Sequence, residues 1–331
     1  MKILVIGGSH FLGRHIAEAL LAHNHQLTLF NRGKTNPNLF QAVEEIHGDR
    51  YDQLGLLNGR NWDVVIDTCG YHPASVGRSA HFLADVVGRY VFISSISVYK
   101  DFTTPGLSEN SETRDWPENT NPEDNTADTY GARKVLCEVA VDEVFEGRSL
   151  HLRPGVLAGP YDSFGRIAYW LERVAKGGDI LAPGDPTQPL QLIDARDIAT
   201  WIIRLIETEQ TGVFNAVGPS RPLTFEKFLL ACQQVVKSES RLVWLNEGTL
   251  IKNKVQPWTE IPLWVPEFMR GLHEIKAFKA FGQGLICRPL EMTLADTWQW
   301  MQYSKPTWPS QQWLSPEKEA QLLELKRINL G

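Results

Sequence analysis

The sequence predicts an α/β protein, a doubly wound parallel sheet with a smaller C-terminal unit. Three observations carry this. Ile3 to Ile6 is a continuous apolar run that ends in glycines, the pattern of a strand buried on both faces of a parallel sheet. The glycines lead straight into helical spacing. Strand-like and helix-like segments then alternate as far as Pro154, with no internal repeat.

Phe11, Ile16, Ala19 and Leu20 mark the first helix, which His23-Asn24-His25 closes. Gln26 to Phe30 reads as the second strand, Val43 to Ile46 as a third and Trp62 to Asp67 as a fourth. Ser79 to Val87 has helical texture, and Arg89 to Ser94 is a fifth strand. Residues 129–145 form a helix, and Ser149 to Arg153 a sixth strand that Pro154 ends. Lys100 to Asp128 is polar, Pro- and acid-rich. It reads as a solvated loop or, since it ends at Tyr130, as an active-site lid. Beyond Gly159 the pattern is irregular and rich in Trp and Pro.

The chain has 331 residues, 43% hydrophobic and 22% charged, which suits an ordinary globular protein. Its net charge of -6 argues against nucleic acid or an anionic membrane as main partner. Cys69, Cys137, Cys232 and Cys287 are scattered, as in a reduced cytoplasmic protein. The apolar opening is too short for a signal peptide, and no stretch approaches the ~20 residues of a membrane span. The nine histidines show no metal spacing, so no metal is expected.

Gly7-Gly8-Ser9-His10-Phe11-Leu12-Gly13 lies between a strand and a helix, where free N–H groups and the helix dipole hold phosphate. This makes residues 1–158 a dinucleotide-binding domain of Rossmann type, with 190–217 returning to it. Residues 159–189 and 218–314 are then a substrate domain and 315–331 a C-terminal helix, either peripheral or part of a homodimer contact. His10 stands where a middle glycine is usual. An NAD site usually carries an acid about 20 residues past the glycines. Here the second strand ends in Asn31-Arg32-Gly33 with no acid nearby. Arg32, Lys34 and His10 are candidates to neutralise a 2′-phosphate, so NADP is expected, with NAD as the alternative. Asp49 is either an adenine contact or a turn cap.

Tyr130-Gly131-Ala132-Arg133-Lys134 is the one YxxxK match in the chain, and it starts a helix after the fifth strand. Four residues span just over one turn, so Tyr130 and Lys134 share a face. An ammonium there favours the phenolate and lowers the tyrosine pKa, as proton transfer requires. Ser94, Ser95 and Ser97 supply hydroxyls at the end of the fifth strand. Each is either a turn residue or a hydrogen-bond donor to a substrate oxygen.

With these motifs the chain resembles the extended short-chain dehydrogenase/reductases, the epimerase/dehydratase-like group, from residue 1 to about 217. Ser94-Ser95-Ile96-Ser97-Val98-Tyr99, Arg153-Pro154-Gly155, Arg196-Asp197-Ile198-Ala199 and Gly212-Val213-Phe214-Asn215 belong to the same likeness. The resemblance implies that Ser95 and Tyr130 are catalytic and that Lys134 holds the nicotinamide ribose. It also implies that Thr68, Cys69 and Pro154 line the cofactor. The His10 variant and the Asn31-Arg32-Gly33 end look like a subgroup that contains plant chloroplast stem-loop RNA-binding proteins.

One departure concerns the substrate. Family members that handle nucleotide sugars often carry an arginine after a GDG-x-Q stretch. Gly184-Asp185-Pro186-Thr187-Gln188-Pro189-Leu190 has Leu190 at that place. Arg166, Arg173 and Arg221 are candidates to compensate, or ordinary surface arginines. Seven tryptophans between Trp244 and Trp313 read as core packing, and Gln256 to Trp264 as a wall of the substrate cleft. The expected function is an NAD(P)-dependent oxidoreductase acting on a small carbonyl/hydroxyl or sugar-like substrate. The alternatives are a nucleotide-sugar epimerase/dehydratase and an RNA-binding or regulatory module on the same fold.

Overall fold

The computed structural model describes residues 1–118, 120–121, 124–308 and 312–328. Positions 119, 122 and 123 of the expected lid, 309–311 of the expected substrate domain and 329–331 of the expected C-terminal helix lie outside them.

The chain runs β1 (Lys2–Ile6), α1 (Phe11–Ala22), β2 (Gln26–Asn31), β3 (Glu44–His47), β4 (Trp62–Asp67) and α2 (Pro73–Leu83). It continues through β5 (Val87–Ile93), α3 (Ala127–Asp142), β6 (Ser149–Pro154), β7 (Leu157–Ala158) and α4 (Arg166–Ala175). Then come β8 (Asp179–Pro183), β9 (Ile193–Asp194), α5 (Ala195–Glu207), β10 (Gly212–Ala216), α6 (Phe225–Val236) and β11 (Arg241–Leu245). The last helices are α7 (Glu247–Lys252), α8 (Phe278–Gly282), α9 (Leu290–Ser304) and α10 (Pro316–Ile328).

Seven strands form one parallel sheet in the order β10-β6-β5-β4-β1-β2-β3, the doubly wound arrangement expected. The alternation within β1 explains it. Ile3 and Val5 pack with Val64, Ile66 and helices α1 and α5 on one face. Leu4 and Ile6 pack with Val65 and helices α2 and α3 on the other. A strand apolar on both sides can only sit inside such a sandwich. The order in which strands are added reverses between β1 and β4, so the crevice at their carboxyl ends is where ligands bind in open α/β sheets.

Two helix boundaries differ from the sequence reading. α2 begins at Pro73, whose fixed φ suits a first helical turn, and it ends at Leu83. Val87, read as its end, instead starts β5 opposite Trp62. α3 begins two residues earlier than expected, behind Thr126, which caps it reciprocally with Thr129.

A second apolar cluster brings together α4, β8, α6, β11 and α9 around Trp170, Phe225, Phe228 and Trp264. Trp244, Trp258, Trp298, Trp300 and Trp308 pack against its edge. Ile275, Ala277, Ala280 and Leu285 join the sheet's cluster instead, although their stretch reads as part of the second unit. The expected lid is pinned along its first half. Gly271 N–H donates to Phe102 O at 3.0 Å, Gly106 N–H to Glu274 O at 2.8 Å and Lys276 N–H to Leu107 O at 2.8 Å.

Candidate active site

The glycine turn follows β1, and Thr68-Cys69-Gly70 follows β4 beside it. Gly7 sits at φ +102°, and a Cβ there would lie 2.4 Å from Thr68 Oγ1. Thr68 Oγ1 in turn donates to Ile6 O at 2.9 Å. Only glycine fits this junction. His10 occupies the N-cap of α1 without a side-chain cap, so the first-turn N–H groups stay free for an anion. This cradle fits a dinucleotide pyrophosphate. Ser9 and the α1 residues Phe11 and Leu12 are buried, while His10 is exposed.

Asn31 holds its own turn. Its Oδ1 accepts from Gly33 N–H at 2.7 Å, and its amide donates to Gly7 O at 3.4 Å. Arg32 and Lys34 project from that turn, exposed and without a hydrogen bond or ion pair among the described residues. Asp49 behaves as a turn cap, accepting from Tyr51 N–H at 3.0 Å. Its neighbour Arg50 is the residue that points inward. Arg50 forms a buried bidentate pair with Asp67, at 2.9 and 2.8 Å. Tyr90 donates to Asp67 at 2.8 Å, and Arg50 to Ser79 Oγ at 3.0 Å. Asp67 also accepts from Cys69 N–H at 3.1 Å, which fixes the loop after β4. Sequence reading missed this cluster, because a charged residue after a short strand reads as surface. Burial pushes the Cys69 thiol up to about 11, so it packs as a small inert side chain.

Ser95 caps the short turn Ile96–Val98, its Oγ accepting from Ser97 N–H at 3.1 Å. The Ser94 hydroxyl is buried and unpartnered among the described residues. Helix α3 presses directly on this turn. A Cβ on Gly131 would lie 2.1 Å from Ser97 O, so the glycine beside Tyr130 brings the helix into place. Burial raises the Tyr130 phenol above its ordinary value, while a hydrogen bond with Ser95 and the charges of Arg133 and Arg166 act against it. The Lys134 ammonium donates to two main-chain carbonyls, Gly70 O at 2.8 Å and Ile93 O at 2.7 Å. Burial brings it down to about 8.

The remaining motifs make a buried brace. Arg153 pairs with Glu138 at 2.7 Å and donates to Tyr99 Oη at 3.3 Å. Tyr99 donates to Asn215 Oδ1 at 2.5 Å. The brace joins α3, β6, β10 and the turn after β5, and Pro154 follows it at the end of β6. Arg196 binds Asp194 and Asp296, and Arg288 binds Asp197, tying α5 to α9 and the segment before it.

Leu190 is buried in the second apolar cluster and does not face a cleft. No helix is long and apolar enough to cross a membrane, and no group of three or more His, Cys, Asp or Glu is placed to hold a metal, among the described residues.

Fold and site together define a dinucleotide-binding protein of the short-chain oxidoreductase class. The chain belongs to the NAD dependent epimerase/dehydratase family, whose model matches residues 3–86 and 78–217. It is 24% identical to the chloroplast stem-loop binding protein of 41 kDa b of Arabidopsis thaliana, over 89% of this chain and 83% of that one. It is 29% identical to the 2-alkyl-3-oxoalkanoate reductase of Stenotrophomonas maltophilia, over 56% of this chain and 59% of the relative. The UDP-Glc/GlcNAc 4-epimerase of Campylobacter jejuni has the same fold, with a TM-score of 0.70 and 16% identity over 91% of this chain and 99% of that chain.

Proposed function

We propose that the chain is an NAD(P)-dependent oxidoreductase acting on a small carbonyl/hydroxyl or sugar-like substrate. The observation that supports the reading is the close packing of α3, at the glycine beside Tyr130, against the Ser95–Ser97 turn at the carboxyl end of the sheet, with the glycine turn at the same end. The bound nicotinamide supplies hydride transfer. Tyr130 moves a proton at the substrate oxygen, and Ser95 hydrogen-bonds that oxygen as charge develops on it. Lys134 holds the nicotinamide ribose and keeps α3 against the loop after β4. Gly7 to Gly13 hold the pyrophosphate, with Thr68, Cys69 and Pro154 along the cofactor. Arg32 and Lys34, free of protein partners, favour NADP over NAD.

The bacterial reductase named above supports carbonyl reduction. Leu190 in the core leaves the nucleotide-sugar reading without its usual clamp. The test is a panel of ketones, oxo acids and aldehydes offered with NADPH, followed by loss of reduced-cofactor absorbance. Reduction within the panel is expected. Low-micromolar binding of a UDP, GDP or dTDP sugar, with no carbonyl reduced, would overturn the reading.

RNA binding is a second reading, favoured by the plant relative that matches 89% of this chain. The net charge of -6 opposes it. Retention of a stem-loop RNA on filters at physiological salt would restore it.

A further inference from the structure

The three arginines that are candidates for a diphosphate clamp meet different fates in the fold. Arg173 pairs with Glu319 at 2.7 Å and donates to Gly177 O at 3.0 Å, so its donors are spent inside the protein. Arg221 is exposed. Arg166, the first residue of α4, is half-buried, and its guanidinium makes no hydrogen bond or ion pair among the described residues.

What surrounds Arg166 is aromatic. Its guanidinium carbon lies 4.6 Å from the Phe164 ring centre and 4.9 Å from that of Trp258. Phe164 is itself an exposed aromatic, 48% accessible. Rings attract the cation but accept none of its five N–H donors. A half-buried guanidinium with unfilled donors is costly unless something else accepts them. Asp162 does not fill these donors: one of its oxygens accepts Phe164 N–H at 2.8 Å, and the other is buried with no hydrogen-bond partner among the described residues. The segment that carries Arg166 leaves the carboxyl end of β6, the end of the parallel sheet at which α3 starts with Tyr130, and the two side chains act on each other's charge.

We propose that Arg166 anchors a carboxylate of the substrate, held by its two edge N–H groups between Phe164 and Trp258 while the reacting oxygen faces Tyr130 and Ser95. This rests on the oxidoreductase reading and adds a substrate class to it, an oxo or hydroxy acid. The flat, ring-lined surroundings suit a planar carboxylate, which a guanidinium fork meets with two parallel bonds. A bulky diphosphate would need further cations, and Arg173 is already committed to Glu319.

The test titrates short- to medium-chain 3-hydroxy acids and their methyl esters into the NADP-loaded protein by calorimetry. It uses wild type, Arg166→Gln, Arg166→Lys and Tyr130→Phe. At least one acid should bind wild type about tenfold or more tighter than its ester, a margin worth one charge-assisted hydrogen bond. Arg166→Gln should abolish that preference with NADP affinity unchanged, Arg166→Lys should keep part of it, and Tyr130→Phe should keep all of it. The inference is overturned if no acid is preferred to its ester or if the preference survives in Arg166→Gln. Tighter binding of a matched alkyl phosphate than of the acid overturns it as well. Wild-type turnover in Tyr130→Phe would instead sink the oxidoreductase reading and leave the anchor standing.

Discussion

The Lys134 ammonium donates to the main-chain carbonyl of Gly70 at 2.8 Å, and so ties the helix of Tyr130 to the loop that follows β4. The same nitrogen reaches Ile93 O at 2.7 Å, at the end of β5. One side chain thus gathers three elements under the site. Lys134→Met leaves two buried carbonyls unpaired, each costing about 1–3 kcal/mol. Thermal unfolding should register that loss, and NADP should bind more weakly. An unchanged midpoint together with unchanged affinity would show that the bridge does nothing.

Arg32 and Lys34 stand free at the end of β2, where no acid is present to hold a ribose 2′-OH. NADPH should bind about tenfold or more tighter than NADH, since a charge-assisted contact contributes roughly 1.5–3 kcal/mol. Arg32→Ala should erase most of that margin. Equal affinities in the wild type, measured by fluorescence titration, would assign the cofactor to NAD.

Arg50 and Asp67 form a pair buried on both sides, at 7% and 0% side-chain exposure. Removing one partner strands the other charge in the interior, at a cost of about 3–5 kcal/mol. Asp67→Asn should therefore unfold well below the wild type in urea. The double change Arg50→Met with Asp67→Leu should recover much of the loss. Additive losses would refute the coupling.

The fold was legible because its signal is local and repeated. Apolar strands such as β1 and β4 announce themselves, and glycines mark the one turn that a phosphate needs. Ser95, Tyr130 and Lys134 were legible from spacing and place. Arg50 was not. It acts through partners more than 15 residues away in sequence, Asp67 and Tyr90, and nothing local distinguishes it from a surface arginine. Spacing puts Lys134 on the face of Tyr130, while the carbonyls that take its ammonium come from the loop after β4 and the end of β5, which no local pattern announces.

Asp162 offers a pH signature. Burial raises its carboxyl from 3.8 to about 6. A group whose pKa is raised on folding stabilises most below its unfolded value, and that contribution is lost as pH rises through the folded one. Between pH 4 and 6 the protein should therefore lose roughly 2–3 kcal/mol from this group. Asp162→Asn should flatten that slope in urea unfolding series. A variant with the wild-type slope would place the burial elsewhere.

In the proposed reaction Tyr130 moves the proton while a nicotinamide carries the hydride. The most direct test is steady-state turnover of Tyr130→Phe on the best carbonyl substrate of the panel, with NADPH affinity measured on the same preparation. The substitution removes one hydroxyl and keeps the aromatic ring. Turnover should fall by about 10²–10⁴, the range of a lost general acid, while cofactor affinity stays within a few-fold of wild type. Wild-type turnover in Tyr130→Phe would contradict the account.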